Sequence, residues 1–319
     1  MKKIWIILIS IVFVLFLIVA GSVLKNKDNA EISLKELNGV SLSPKSFSQN
    51  DFTAFFDKAD ESGDAITGWA EIEGFGNEQG VPFVVAGLAK QYNYEPIILV
   101  GLKNAKDASD KELLLSFLKK NKINYLGLGV EVNRYSDYDS YAAVYNEIYD
   151  SVKEASPKTQ VFPIFQYEQM KGLQGGLFGK ENNPNNAEWV LIDKLKLDMI
   201  GFTTYPGLIY KNPGEIPSDY YLEIKNHVNK PVVFTEIGWF RSFDKVSEWE
   251  SSEKEQADFI VKYFDLTKDL DVKLNIWSFL YDPDGEGLEF KETFNTMGLL
   301  AKDDSDGTSL VFEAWKKGN

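Results

Sequence analysis

Two kinds of stretch alternate along most of this chain. Short runs that are almost continuously apolar are separated by longer ones in which apolar residues recur at three- and four-residue spacing. The first kind predicts strands over residues 39–43, 65–72, 96–102, 125–132, 160–165, 199–205, 232–236 and 274–279. The second predicts helices over 52–62, 80–91, 110–120, 138–155, 187–195, 220–228 and 252–266, with a last helix ending near Trp315. Strands apolar on both faces suit a parallel sheet covered by helices outside and packed side chains within. Eight strand–helix units predict an α/β fold of the (β/α)8, or TIM barrel, type. An open nucleotide-binding sheet is disfavoured, because the run from Gly39 to Ser43 leads into Pro44 and Lys45 instead of a glycine-rich loop.

Ahead of the barrel, Met1-Lys2-Lys3 precedes an apolar run over residues 4–20 broken only by Ser10. Its length and leading lysines predict a transmembrane signal anchor, with a cleavable signal peptide as the alternative. The expected domains are residues 1–24 as that segment, 25–38 as a polar tether and 39–319 as the barrel. The protein is expected to be exported, held on the membrane by this segment alone or secreted, and monomeric.

The net charge of −14 repels phosphate backbones, so nucleic acid is not an expected partner and a neutral ligand is. With no cysteine and a single histidine, thiol nucleophiles, serine–histidine triads and multi-histidine metal sites cannot be assembled. His227 reads as a solvated residue at a helix C-terminus. Acid–base chemistry then falls to carboxylates, with lysine and tyrosine as minor candidates. The Asp- and Gly-rich stretches 282–286 and 303–307 lack full calcium-loop spacing and read as turns. No metal or other cofactor is expected.

Reactive groups of such barrels sit where strands end, which singles out Glu71, Glu73, Glu131, Glu168, Glu236, Asp282 and Asp284. Glu236 has the strongest case as a nucleophile. A full apolar strand delivers it, and Gly238, Trp239 and Phe240 follow. Glu131 comes late in a strand thinned by Gly127 and Gly129. The only arginines, Arg134 and Arg241, follow these two glutamates by three and five residues, and a guanidinium there would hold a carboxylate ionised and oriented. Trp69, Tyr167, Trp239, Phe240 and Tyr281 lie near strand ends, where flat rings suit the apolar faces of sugars.

Thr235-Glu236-Ile237-Gly238-Trp239, the run from Asp198 to Pro206, Trp277, and Met297-Gly298-Leu299-Leu300 leading to Trp315 occur in the order seen in clan A glycoside hydrolases. From about residue 39 to 317 the chain resembles that clan. The resemblance implies a retaining hydrolase of β-linked oligo- or polysaccharides, with Glu131 on strand four as acid/base and Glu236 on strand seven as nucleophile. It also implies that Tyr205 hydrogen-bonds Glu236 and that Trp277 forms the sugar-stacking floor. Clan members usually carry asparagine before the acid/base, where it bonds the substrate 2-hydroxyl; this chain has Val130, with Asn133 nearby. The expected cycle needs Glu131 raised in pKa by burial and Glu236 lowered by an arginine. Val130 motivates the alternative, a non-catalytic carbohydrate-binding barrel. A metal-dependent site from Glu71, Glu73, Glu168 and Asp282 is disfavoured for want of histidines.

Overall fold

A computed structural model describes residues 34–102, 108–242, 249–284, 290–304 and 308–318. The expected signal segment, residues 1–24, and most of the tether lie outside the described residues. Among those described, no helix is long and apolar enough to cross a membrane.

The unit from Glu36 onward is built on nine parallel strand segments: β1 (Leu37–Ser41), β2 (Ala65–Glu71), β3 (Glu95–Gly101), β4 (Tyr125–Leu128), β5 (Gln160–Phe162), β6 (Ile164–Gln166), β7 (Ile200–Thr204), β8 (Val232–Ile237) and β9 (Val272–Trp277). They pair in the order β5-β4-β3-β2-β1-β9-β8-β7-β6. β5 and β6 are halves of one run, interrupted at Pro163, which has no N–H to give to a ladder. One half pairs with β4 and the other with β7, so the nine segments occupy eight positions of a closed barrel. Across the seam the Gly201 N–H donates to the Pro163 carbonyl at 2.9 Å. A Cβ on residue 201 would stand 2.8 Å from that oxygen, which is why glycine is required there.

The helices are α1 (Gln49–Ala59), α2 (Val81–Tyr92), α3 (Ala108–Lys120), α4 (Tyr138–Ala155), α5 (Tyr167–Met170), α6 (Ile224–His227), α7 (Glu253–Thr267), α8 (Lys291–Phe294) and α9 (Leu310–Gly318). Ser48, Asp137 and Ser252 cap α1, α4 and α7 by accepting from the backbone N–H three residues on. The main core lies between strands and helices, where Phe202, Phe234, Tyr221 and Tyr263 are fully buried.

Two expected helices shrink. Residues 189–194 form a 3₁₀ helix and 220–228 leave only the four-residue α6. Specific side-chain contacts hold these stretches instead: the Trp189 indole donates to Glu223 at 3.1 Å and stacks on the His227 ring at a 4.3 Å centroid separation. His227 is thus packed against an aromatic ring as well as placed at a helix end. The fourth strand stops at Leu128, short of the expected 132, because Gly129 (φ +82°) and Glu131 (φ +52°) turn the chain through left-handed backbone.

Candidate active site

Glu131 and Glu236 reach one cavity at the C-terminal ends of the strands, each by an irregular piece of backbone. For Glu131 this is the left-handed conformation, uncommon for a residue with a side chain and often found at functional sites. For Glu236 it is a β-bulge. β7 pairs Phe202 with Phe234 but Thr203 with Glu236, and on the other side Phe234 and Ile237 face Asn275 and Trp277. One extra residue therefore sits in β8. Phe234 packs outward on Tyr221 and Tyr263, and strict alternation would send Glu236 outward too. The bulge reverses that parity and turns the carboxylate inward.

Thr203 holds the first of the two acids. Beside Glu236 in the sheet, it donates its hydroxyl to Glu131 Oε1 at 2.9 Å. Arg134 Nη1 binds the other oxygen of Glu131 at 2.6 Å. Glu236 Oε2 accepts from the Tyr205 hydroxyl, which in turn accepts from Ser278 Oγ at 3.2 Å. Burial, then the neighbouring charge of Glu131, push Glu236 up to about 7; the Tyr205 hydrogen bond opposes this. Burial also pushes the Tyr205 hydroxyl well above its ordinary value, so it stays a donor.

The expected arginine beside Glu236 is not Arg241. Its Nη2 binds Asp282 and its Nη1 donates to the Gly298 carbonyl at 3.1 Å. Beyond Gly238 the chain runs to the loop after β9, where the Arg241 N–H meets the Thr296 carbonyl. Glu236 is therefore raised, where a lowered value was expected.

The cavity shared by Glu131, Glu236, Tyr205 and Arg134 measures about 500 Å³. A second, of about 950 Å³, adjoins it, reaching Glu71, Tyr135 and Asp137 and sharing Trp69, Val130, Glu131 and Arg134. Trp69 is half exposed on the border. The structure does not bring the other expected contacts to these cavities. Trp277 is fully buried on the helix side of β9, its ring on Trp315 and its indole N–H on the Met297 carbonyl at 2.7 Å. It cannot form a sugar-stacking floor there; the alternation of β9 turns Ser278 inward instead. Trp239 is likewise buried, against Phe259 and Ser251. Asn133 accepts from the Gln166 N–H at 2.8 Å and donates to Glu188 at 3.0 Å, tying the loop after β4 to β6.

Sequence reading missed Thr203, Gln166 and Ser278. Of these, only Ser278 carried a signal, through its period-two relation to a bulky Trp277; Thr203 needed the β7–β8 register. Glu168, in α5 just past the fifth strand, is fully buried and lines neither cavity. Metal-binding groups of three or more His, Cys, Asp or Glu are absent among the described residues.

No protein-family model and no curated protein matches the chain. Solved structures do. An exo-beta-1,4-mannosidase from Opitutaceae bacterium strain TAV5 superposes with a TM-score of 0.61 at 11% identity, covering 88% of this chain and 58% of that one. GH5_18 from Streptomyces cattleya, solved with GlcNAc, gives 0.65 at 12% identity over 89% and 79% of the two chains. A family 39 glycoside hydrolase from Bacteroides cellulosilyticus WH2 gives 0.57 at 16% identity over 88% and 62%. This chain thus spans less than two thirds of the mannosidase and of the family 39 enzyme. At these identities the likeness is one of fold, and the fold shared with these glycoside hydrolases is a parallel α/β barrel.

Proposed function

We propose that this protein is a retaining glycoside hydrolase acting on β-linked saccharides, with Glu236 as nucleophile and Glu131 as acid/base. The observation that carries this is the pair itself: two carboxylates from the ends of barrel strands four and seven face one cavity. The β-linkage draws support from the mannosidase of the same fold.

In the first half of the cycle Glu131 gives its proton to the leaving glycosidic oxygen while Glu236 attacks the anomeric carbon, so that the C–O bond breaks as the glycosyl–enzyme bond forms. In the second, Glu131 takes a proton from water, the water oxygen attacks the anomeric carbon and Glu236 departs. The cycle needs one proton on the pair. Because the acids interact, that proton belongs to the pair, and the Tyr205 hydroxyl favours placing the negative charge on Glu236.

The test is proton NMR of the first-formed product from a panel of β-glycosides. Retained anomeric configuration, lost in Glu236→Gln, is the expected result; inversion would sink the double displacement. Val130 favours a second reading, a barrel that binds sugar without cleaving it. An apolar side chain borders both cavities where the clan usually has an amide. That reading predicts oligosaccharide binding with no turnover across the panel. We also propose, from the apolar run in residues 1–24, that the protein is exported, held by that segment or released from it, and monomeric. Protease accessibility on intact cells and sedimentation of the purified chain test these two points.

A further inference from the structure

The cavity beside Glu236 has two apolar walls. Leu42, Val81 and Val130 form one, and Phe178, Phe279 and Phe294 the other. The second wall continues into a buried cluster of Tyr205, Leu208, Phe240 and Met297. At the rim, Phe47 and Trp69, two of the large apolar side chains that are solvent-exposed, carry this surface outward.

Apart from the two acids and Arg134, the polar side chains of this lining hydrogen-bond within the protein. Thr67 Oγ1 donates to Ser41 at 2.8 Å, and Ser278 Oγ to the Tyr205 hydroxyl at 3.2 Å. Gln166 gives its amide N–H to Glu168 at 2.6 Å and accepts from the Gln169 N–H at 2.7 Å. Tyr205 is spent on Glu236. A ligand with hydroxyls on every carbon would leave several unpaired in such a space, which is unfavourable. The volume, about 500 Å³, is that of a site for a drug-sized ligand.

We propose that the substrate is a glycoside bearing a hydrocarbon group, alkyl, aryl or acyl, and that this group lies between the two apolar walls. The proposal rests on the glycosidase reading for the sugar part and on the cavity lining for the rest. Such a group could belong to the aglycone or be esterified to the reacting sugar.

The experiment uses the full chain carrying Glu236→Gln, titrated with methyl, butyl, hexyl and octyl β-D-glucopyranosides and β-D-mannopyranosides below their micelle-forming concentrations. A parallel series carries acetyl to hexanoyl esters at O6 of the methyl glycosides. Binding is read by tryptophan fluorescence and calorimetry. The expected result is a Kd that falls by about fourfold per added methylene until the cavity is filled, with a heat-capacity change that grows more negative along the series. A gradient in the alkyl series assigns the hydrocarbon to the aglycone; one in the ester series assigns it to the sugar. Phe178→Ser should flatten the gradient while leaving the Kd of the methyl glycoside in place. Flat Kd values in both series overturn the proposal, and if wild type still cleaves unsubstituted oligosaccharides the glycosidase reading survives. A steep gradient with no turnover by wild type supports the hydrocarbon site and overturns the glycosidase reading instead.

Discussion

Glu168 follows the fifth strand of the barrel and Glu236 lies at the end of the seventh, and both are pushed up to about 7, in each case chiefly by burial. Their surroundings differ. Glu168 is fully buried, and its oxygens accept from Gln166 Nε2 at 2.6 Å, Thr204 Oγ1 at 2.9 Å, Tyr220 Oη at 3.1 Å and the Tyr205 N–H at 3.2 Å. Glu236 accepts from Tyr205 and otherwise looks into the cavity. A displaced pKa therefore does not mark a reactive acid by itself. Open lone pairs beside a second carboxylate do, whereas a carboxylate with its lone pairs filled clamps two strands and a loop.

The largest effect that tests this contrast is on rate. Glu236→Gln is expected to lower kcat/KM by a factor of about 10³ or more, with its circular dichroism and urea midpoint close to wild type. Glu168→Gln should do the reverse. It sets an amide N–H against Gln166 and costs on the order of 2 kcal/mol in urea unfolding, while the folded protein keeps its kcat. Abolished turnover in Glu168→Gln at unchanged stability would remove the distinction.

Next in size is the pH dependence of stability. A carboxyl held near 7 in the folded state and about 4.5 in the unfolded state keeps the folded form more protonated between those values, so stability is full below about 4.5 and declines as pH rises through 7. The decline is on the order of 3 kcal/mol for the fully buried Glu168. Urea titrations at pH 5 and 8 should show it in wild type and show less of it in Glu168→Gln.

Tyr205→Phe sharpens the reactive side of the contrast. Wild-type kcat/KM should fall as pH rises through about 7, where the pair gives up the one proton the cycle needs. Without the hydroxyl, which lowers that value, the limb should move to higher pH. An unmoved limb would assign the titration to another group. The smallest expected change is Arg134→Gln, a few-fold loss, because its contact with Glu131 is partly solvent-exposed. Steady-state kinetics at low and high salt would show whether the loss falls in kcat, as a role in orienting Glu131 requires.

All eight strand runs could be read from the sequence, since apolar stretches of that length have few other homes, and with them Glu131, Glu236 and Tyr205 as residues at strand ends. Arg134 was visible too, as a near neighbour in the chain. Trp239, Trp277 and Arg241 were not placed correctly. Proximity along the chain says that a residue is near a strand end, and the pleat then decides which side it faces. Thr203 had no local signal, because its partner Glu131 is 72 residues away.

The order of elements, the closed count of strands and the carboxylate character of the chemistry follow from the sequence alone, through hydrophobic period and the lack of cysteine and of all but one histidine. Tertiary structure decided which carboxylates face the cavity. One inserted residue in β8 and the left-handed backbone of Glu131 after β4 set the direction of these side chains. Both are set by pairing with neighbouring strands and by packing that no single segment encodes.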